Sequence, residues 1–524
     1  NNSTFADPQF SNPTNMWFFP RSIAGRYDPA LTNFVVDTTH SMLIDFGDPA
    51  SVAWTNESSP NGQRINAGKF GGTLLASRSR TNAWLQALTY NDGGQLNVLT
   101  DSIRWNYGNL PTGATVRIEF SFNSGSSWNT FATNVSATSG IYTVVNTNFT
   151  SSRNTRWRIV LESDTSVAAS NRIDFTFRNG PYRYYVNDAS TVGDVFSTAP
   201  GNDVNLGTTM DLPKASVNGI LTNFTLAAGD VIYVDTGLYD NSITITVSPL
   251  QSGTNGNPTV IQGSTNRLAG GTIIRGPPTA TTPAFTLSSG LQDFALRDLT
   301  IQRRTHGISI SGASRILLER INLETNFLNG VLLNNASDIV LRYVVSRQNA
   351  LDGLQVSGGS NITIAHSVFW MNASNAVRTT GARLLVTNSA FAARGSSSAI
   401  YGVPGTTNVT ADYNSYYLEN NASIANLAGA GRDINTLGAW QSETGQDRFS
   451  TDLDPQFANP NSGDFHPRSQ TVQGRFDPIL GWTTDTTTSP LIDAGDPTAD
   501  FSNETAPNGG RINIGVFGNT IEAS

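Results

Sequence analysis

From Ser314 the chain nearly repeats itself every 23 residues. SRILLERINLETNFLNGVLLNNA is followed at Ser337 by SDIVLRYVVSRQNALDGLQVSGG and at Ser360 by SNITIAHSVFWMNASNAVRTTGA. Small residues keep the same step: Ala284, Gly307, Gly330, Gly353, Ala376 and Ala399, each just ahead of Phe, Ile, Val or Leu. A unit this short, with alternating apolar runs such as Ile362-Thr363-Ile364, cannot bury a hydrophobic face alone and must stack on its neighbours as a solenoid. Two or three strands per coil, stacked about 4.8 Å apart, would align like residues in columns. Leu296, Leu318, Leu341 and Ile364 form an inward apolar column. Arg297, Glu319 and Arg342 share an outward column, and Glu324 and Arg347 share another. Opposite charges in adjacent coils then contribute about 0.2–1 kcal/mol per pair. The expected fold class is all-β, with a right-handed parallel β-helix over residues 229–447, of about ten coils and on the order of 50 Å long.

A second repeat spans most of the chain. PNGQRINAGKFGGT at Pro60 returns at Pro507 as PNGGRINIGVFGNT, with ten of fourteen positions identical. DPQF at Asp7 recurs at Asp454, FPRS at Phe19 becomes HPRS at His466, and LIDFGDP at Leu43 becomes LIDAGDP at Leu491. Residues 1–77 and 448–524 are therefore two copies of one end module. The expectation is one period of about 447 residues plus an overlap, taken from a tandem array. The alternatives are a duplicated cap in a self-contained monomer, and a subunit whose N-terminal module docks on the β-helix of the next subunit.

Between the first module and the coils, residues 78–180 change character. VRIEFSF, TRWRIVL and RIDFTF alternate apolar and polar residues between Gly/Ser/Asn turns. This stretch resembles an immunoglobulin or fibronectin type III-like sandwich, which implies Trp105 or Trp157 as a core aromatic. Residues 181–228 then lead into the β-helix. YRYYVNDASTVGDVFSTAPGNDVNLG reads as mostly loop, and LPKASVNGILTNFTL from Leu212 has near-helical apolar spacing, suiting a short cap over the solenoid's open end. Together YYVND, PGNDVN, PKAS and GDVIYVDTGLY resemble the start of the pectate-lyase-like β-helix superfamily of secreted bacterial proteins, over roughly residues 181–450.

That resemblance raises polysaccharide cleavage. Lyases of the superfamily use a Lys or Arg base, often beside calcium, yet the coils contain no lysine. The arginines Arg303, Arg304, Arg378 and Arg394 read as ladder or solvated residues. A hydrolase would want paired carboxylates about 5–10 Å apart. Asp352, in NALDGLQV, resembles the Asn-x-Asp-Gly stretch of polygalacturonases, but the family's other elements are not found with it. His306-Gly307 falls on the repeat's own small-residue column. The four histidines lack zinc-ligand spacing, and there is no cysteine, no Walker loop and no G-x-S-x-G elbow. A net charge of −8 argues against nucleic acid, and no apolar run suits a membrane span.

Each end module gathers oxygen ligands: Asp45, Asp48, Asn56, Glu57 and Asn61 in one, Asp493, Asp496, Asn503, Glu504 and Asn508 in the other. The block resembles the terminal segment that follows β-helices in bacterial surface proteins. Two readings stand for it: a Ca2+ site, which needs six to eight oxygens, or turn chemistry with Arg511 paired to a carboxylate. Glycan contact is read onto Trp370, Tyr416 and Tyr417, with Trp370 exposed because it extends the outward column of Glu324 and Arg347. The function expected is a non-catalytic structural repeat of a large bacterial extracellular fibre, stalk or adhesin, with adjacent copies as partners. The alternatives are a β-helix polysaccharide lyase or hydrolase, and a surface module that binds glycans without catalysis.

Overall fold

The computed structural model describes residues 7–48, 50–98, 100–145, 148–149, 151–240, 243–402, 408–427 and 432–524. They form two compact units, 1–180 and 181–524.

In the first unit, the end module comprises two small antiparallel hairpins, Phe10–Asn12 with Trp17–Pro20 and Arg26–Asp28 with Asn33–Val35. Two β-sheets follow. One has three strands, Trp84–Ala87, Ser102–Gly108 and Ile141–Thr143; the other is built around Thr115–Ser121, Ser152–Leu161 and Phe175–Arg178. Their shared core contains both expected tryptophans. Trp105 donates its indole N–H to Ala137 O at 2.8 Å, and Trp157 donates to Thr89 O at 3.1 Å, so neither buried ring leaves a polar atom unpaired.

In the second unit, a 15-stranded and a 9-stranded sheet make up the parallel β-solenoid. A typical coil contributes Ser337–Arg342, Val345–Arg347 and Leu354–Ser357, and the next repeats them as Ser360–Ala365, Val368–Trp370 and Val377–Thr380. The apolar column is in register: Leu296, Leu318, Leu341 and Ile364 pair in succession. Among the described residues the nine-stranded sheet ends in an antiparallel pair, Ser423–Leu427 with Arg432–Ile434, which leaves eight parallel rungs there and nine from Arg183–Val186 to Asn408–Asp412, against the ten coils expected.

The small-residue column has a steric cause where it is glycine. A Cβ on Gly330 would lie 2.3 Å from Ser346 Oγ and 2.6 Å from the backbone oxygen of Gly353. Asp298, Arg320, Tyr343, His366, Asn388 and Tyr413 form a corner column with φ between 49° and 57°. Left-handed backbone costs an L-residue roughly 1–2 kcal/mol, so these corners persist because the stacked coils hold them.

Two polar ladders run inside the coils. Asn349 Oδ1 accepts from Asn326 N at 3.1 Å and Nδ2 at 2.9 Å, and Asn372 Oδ1 accepts the same pair from Asn349. In the second ladder, Asn329 Oδ1 accepts from Asp352 N at 3.0 Å, and Asp352 Oδ1 accepts from Asn375 N and Nδ2, each at 2.9 Å. Both ladders satisfy backbone donors at turns that have no strand partner.

Both ends of the solenoid carry a helix. Val217–Asn223 follows an N-cap in which Ser216 Oγ accepts from Gly219 N at 3.0 Å; it buries Val217 and Ile220 against the first coils. Within the span read as β-helix, Leu437–Thr444 is a second helix, burying Leu437 and Trp440 at the far end. The lead-in is looped apart from that first helix and Arg183–Val186, which pairs parallel with Val231–Val234 as the first rung.

Candidate functional site: the docked end module

The outward face of Val345–Arg347, Val368–Trp370 and Ala390–Arg394 is apolar where an exposed solenoid face would be polar. Val345, Val368 and Ala390 stack in register and are buried. The second end module covers them: Phe457, Phe465, Leu491 and Ile514 complete one hydrophobic cluster with these residues and Trp370. Trp370 lies 5.6 Å from the Phe457 ring and 5.8 Å from Phe465, both edge-on, and stacks at 5.8 Å on Tyr417.

Polar contacts fix the register of this docking. Asn388 sits on the left-handed corner, which frees both its oxygens: Oδ1 accepts from Asp496 N at 2.7 Å and the carbonyl from Gly515 N at 2.9 Å. Arg347 donates to Asn461 O at 3.0 Å. Glu522 lies 3.3 Å from Arg267, on an early coil.

The buried His466 ring stacks on Phe517 at 3.5 Å and lies 2.6 Å from Asp464 and 3.5 Å from Glu522. Burial alone would lower the imidazole's pKa, but hydrogen bonds to Asp464 and Glu522 outweigh it and hold the pKa above its ordinary value. Burial opposes ionisation of Asp464 and Glu522, yet the hydrogen bond to His466 leaves both below the usual carboxylate range. The signs follow. The His466 contribution is complete below about pH 6.5 and is lost as pH rises through the folded value; the two acids contribute above about pH 4.5 and lose this as pH falls. We therefore expect the triad's contribution to peak between these limits, and module stability to decline from pH 6 to 8 in thermal melts. His466→Phe should flatten the upper limb, since Phe19 stacks on Phe70 at the same place in the first module. An unchanged slope in the variant would remove the triad as its source.

The sequence-derived site residues fall in different places. Trp370 is only 7% exposed and Tyr416 is fully buried, its hydroxyl donating to Asp447 at 2.8 Å. The reading of Trp370 as exposed is corrected: it does point out of the coil, but the module lies on top of it. Tyr417 is half-buried beneath the Trp370 ring, so the three aromatics form no open platform.

The outward charge columns meet as aligned. Glu319 lies 3.0 Å from Arg297 and accepts from Arg342 Nε at 2.9 Å, and Glu324 pairs with Arg347. Asp352 is a ladder member whose second oxygen faces Arg378 at 3.0 Å.

The oxygen ligands in the modules divide. Glu57 Oε1 accepts from Asn66 N at 2.9 Å and Gly72 N at 2.8 Å, while Asp45 Oδ1 accepts from Ser79 Oγ at 2.7 Å. Glu504 repeats the Glu57 pattern with Asn513 N and Asn519 N. Asp48 and Asp496 hold their own turns, at Ala50 N and Thr498 N, and Asn56 and Asn503 are exposed. Arg511 donates to the backbone oxygens of Gly495 and Ala494, which corrects its expected pairing with a carboxylate. Burial pushes the carboxyls of Asp45, Glu57, Asp493 and Glu504 up. No cluster of three or more His, Cys, Asp or Glu side chains suited to a metal ion occurs among the described residues. Because Glu57 and Glu504 each already accept from two backbone amides, chelator is expected to leave the melting temperature unchanged; a fall of several degrees would restore the calcium reading.

Sequence reasoning missed the docking face and the ladders. Asn326, Asn349 and Asn372 stand 23 apart, as do Asn329, Asp352 and Asn375, so the ladder signal was present.

The coils, their register and their caps define a parallel β-helix protein. Residues 237–391 match the family described as right handed beta helix region. Among solved structures, an alginate lyase from Paenibacillus sp. str. FPU-7 is similar at 14% identity, covering 43% of this chain and 92% of that one, with a TM-score of 0.31. A pectate lyase from Bacillus sp. N165, solved in complex with trigalacturonate, is similar at 13% identity, covering 49% and 86%, with a TM-score of 0.24. At such identities the likeness is one of fold. No curated protein matches the chain. No helix among the described residues is long and apolar enough to cross a membrane.

Proposed function

We propose that this chain is a non-catalytic structural unit of an extended extracellular assembly, in which end module, two-sheet domain and β-helix recur in order. The observation that carries this is the near-identity of the two modules down to single hydrogen bonds. Asn66 Nδ2 donates to Ser77 O at 2.7 Å and Asn513 Nδ2 to Ser524 O at 3.0 Å; Arg26 Nε donates to Asp37 and Arg475 Nε to Asp485. A fold kept so closely at both ends of a unit suits a joint that recurs.

The polysaccharide-cleaving alternative shares the β-helix fold, so the fold does not decide between them. The state of the charged groups favours the structural reading. Glu319, Glu324, Asp293, Asp298 and Asp352 all face arginines in ion pairs, which leaves them poorly placed as free acids or bases.

The test is the mass of the native chain on a denaturing gel. A species far above 56.1 kDa, near a multiple of one period, is expected. A band near that mass, together with product release from acidic or neutral polysaccharides, would overturn the proposal in favour of the enzyme.

A further inference from the structure

The two modules differ in which of their faces is covered. In the second module Phe465 is 1% exposed, and Leu491, Ile514 and Gly515 are buried, all beneath or beside the coils. Their counterparts in the first module are open: Phe18 is 36% exposed, Leu43 and Ala67 are half-buried and Gly68 is exposed. The opposite holds at Ile44, Asp45 and Phe46, which are buried in the first module, whereas Ile492, Asp493 and Ala494 are half-buried in the second. In the first module that second face meets the two-sheet domain: Asn106 donates to Asp45 O at 3.2 Å and accepts from Arg64 at 2.9 Å.

Building on the structural-unit reading, we infer that the first module's open face around Phe10 and Phe18 docks on the Val345–Val368–Ala390 face of a second β-helix of this kind. The hairpin that makes the contact is preserved. Phe10 and Phe18 meet edge-on at 5.4 Å, as Phe457 and Phe465 do at 5.3 Å. Each module is thus a two-sided joint, with one side for a preceding β-helix and the other for the following two-sheet domain. One polar contact is not retained, because Leu75 stands where Glu522 meets Arg267, and Met16 puts a side chain where a Cβ on Gly463 would already lie 3.2 Å from Arg347. The new contact is therefore more apolar and weaker than the one within the chain.

One β-helix face accepts one module. In this chain it is taken by the tethered second module, whose effective concentration is of millimolar order, so a module from another chain cannot compete. This also bears on simple head-to-tail assembly of intact chains, which finds its acceptor face occupied.

The experiment frees that face in the full chain. Phe465→Asp should release the second module and make the protein associate in a concentration-dependent way by sedimentation, whereas the unmodified chain stays monomeric. Adding Phe18→Asp should return it to monomer. Association that survives Phe18→Asp, or a Phe465→Asp chain that stays monomeric with its module released to protease, overturns the inference. If Phe465→Asp fails to fold or to release the module, a chain ending at Thr451, with β-helix structure confirmed by circular dichroism, is put to the same two tests. The outcome is separable from the native-mass test: a single-unit native mass with Phe18-dependent association removes only the covalent array, and a long native chain without it removes only this contact.

Discussion

Trp370→Ala should detach the second end module while leaving the coils standing. The ring is buried between Tyr417 on the coil and Phe457 and Phe465 on the module, and none of its neighbours belongs to the inner solenoid core. Truncating a buried tryptophan costs about 3–5 kcal/mol, through lost transfer energy and the cavity left behind. The inner ladder of Leu341, Ile364 and Val386 is untouched. Calorimetry should therefore show an early transition for the module split from a later one for the solenoid, and protease should reach the module first. A single transition shifted as a whole would mean that module and coils unfold as one body, and would sink the idea of a detachable joint.

Asn349→Ala should damage the solenoid itself. The side chain is fully buried and serves both neighbouring coils: it accepts from Asn326 and donates to Asn372 Oδ1 at 2.9 Å and Leu323 O at 3.1 Å. Alanine strands the Asn326 donors and the Leu323 carbonyl, each a buried group costing about 1–3 kcal/mol unpaired. The expected loss is about 3–5 kcal/mol, read as a drop in the solenoid's denaturant midpoint. Ser360→Ala is the control: its hydroxyl also bonds to the coil before, at 3.1 Å to Ser337, but from an exposed position, so the change should stay within about 0.5 kcal/mol. Equal losses would show that burial, rather than bond count, had been misjudged.

The contrast between those two sites also explains what the sequence disclosed. Period alone placed Leu296, Leu318, Leu341 and Ile364 in one column and Glu319 between two arginines, because stacking forces equal positions into register. The corners stayed hidden. Left-handed backbone usually announces itself as Gly or Asn, yet here Asp298, Arg320, Tyr343 and His366 adopt it under the constraint of the stack. Trp370 misled for a different reason: a column says which way a side chain points, and says nothing about what lies over it. The modules' acidic residues were visible, but only the folded loops show that Glu57 and Glu504 each clamp two backbone amides.

The route of the second module has a mechanical consequence. Its first hairpin lies against Trp370, while Glu522, near its other end, reaches back to Arg267 on an early coil. A pull applied at Ser524 would load this fold-back in peel, one contact at a time from the Arg267 end. The joint would open before any rung parted, paying out slack at low force. Pulled singly, the molecule should lengthen in a small, reversible first step and resist only afterwards, so that the module yields while the coils stay wound.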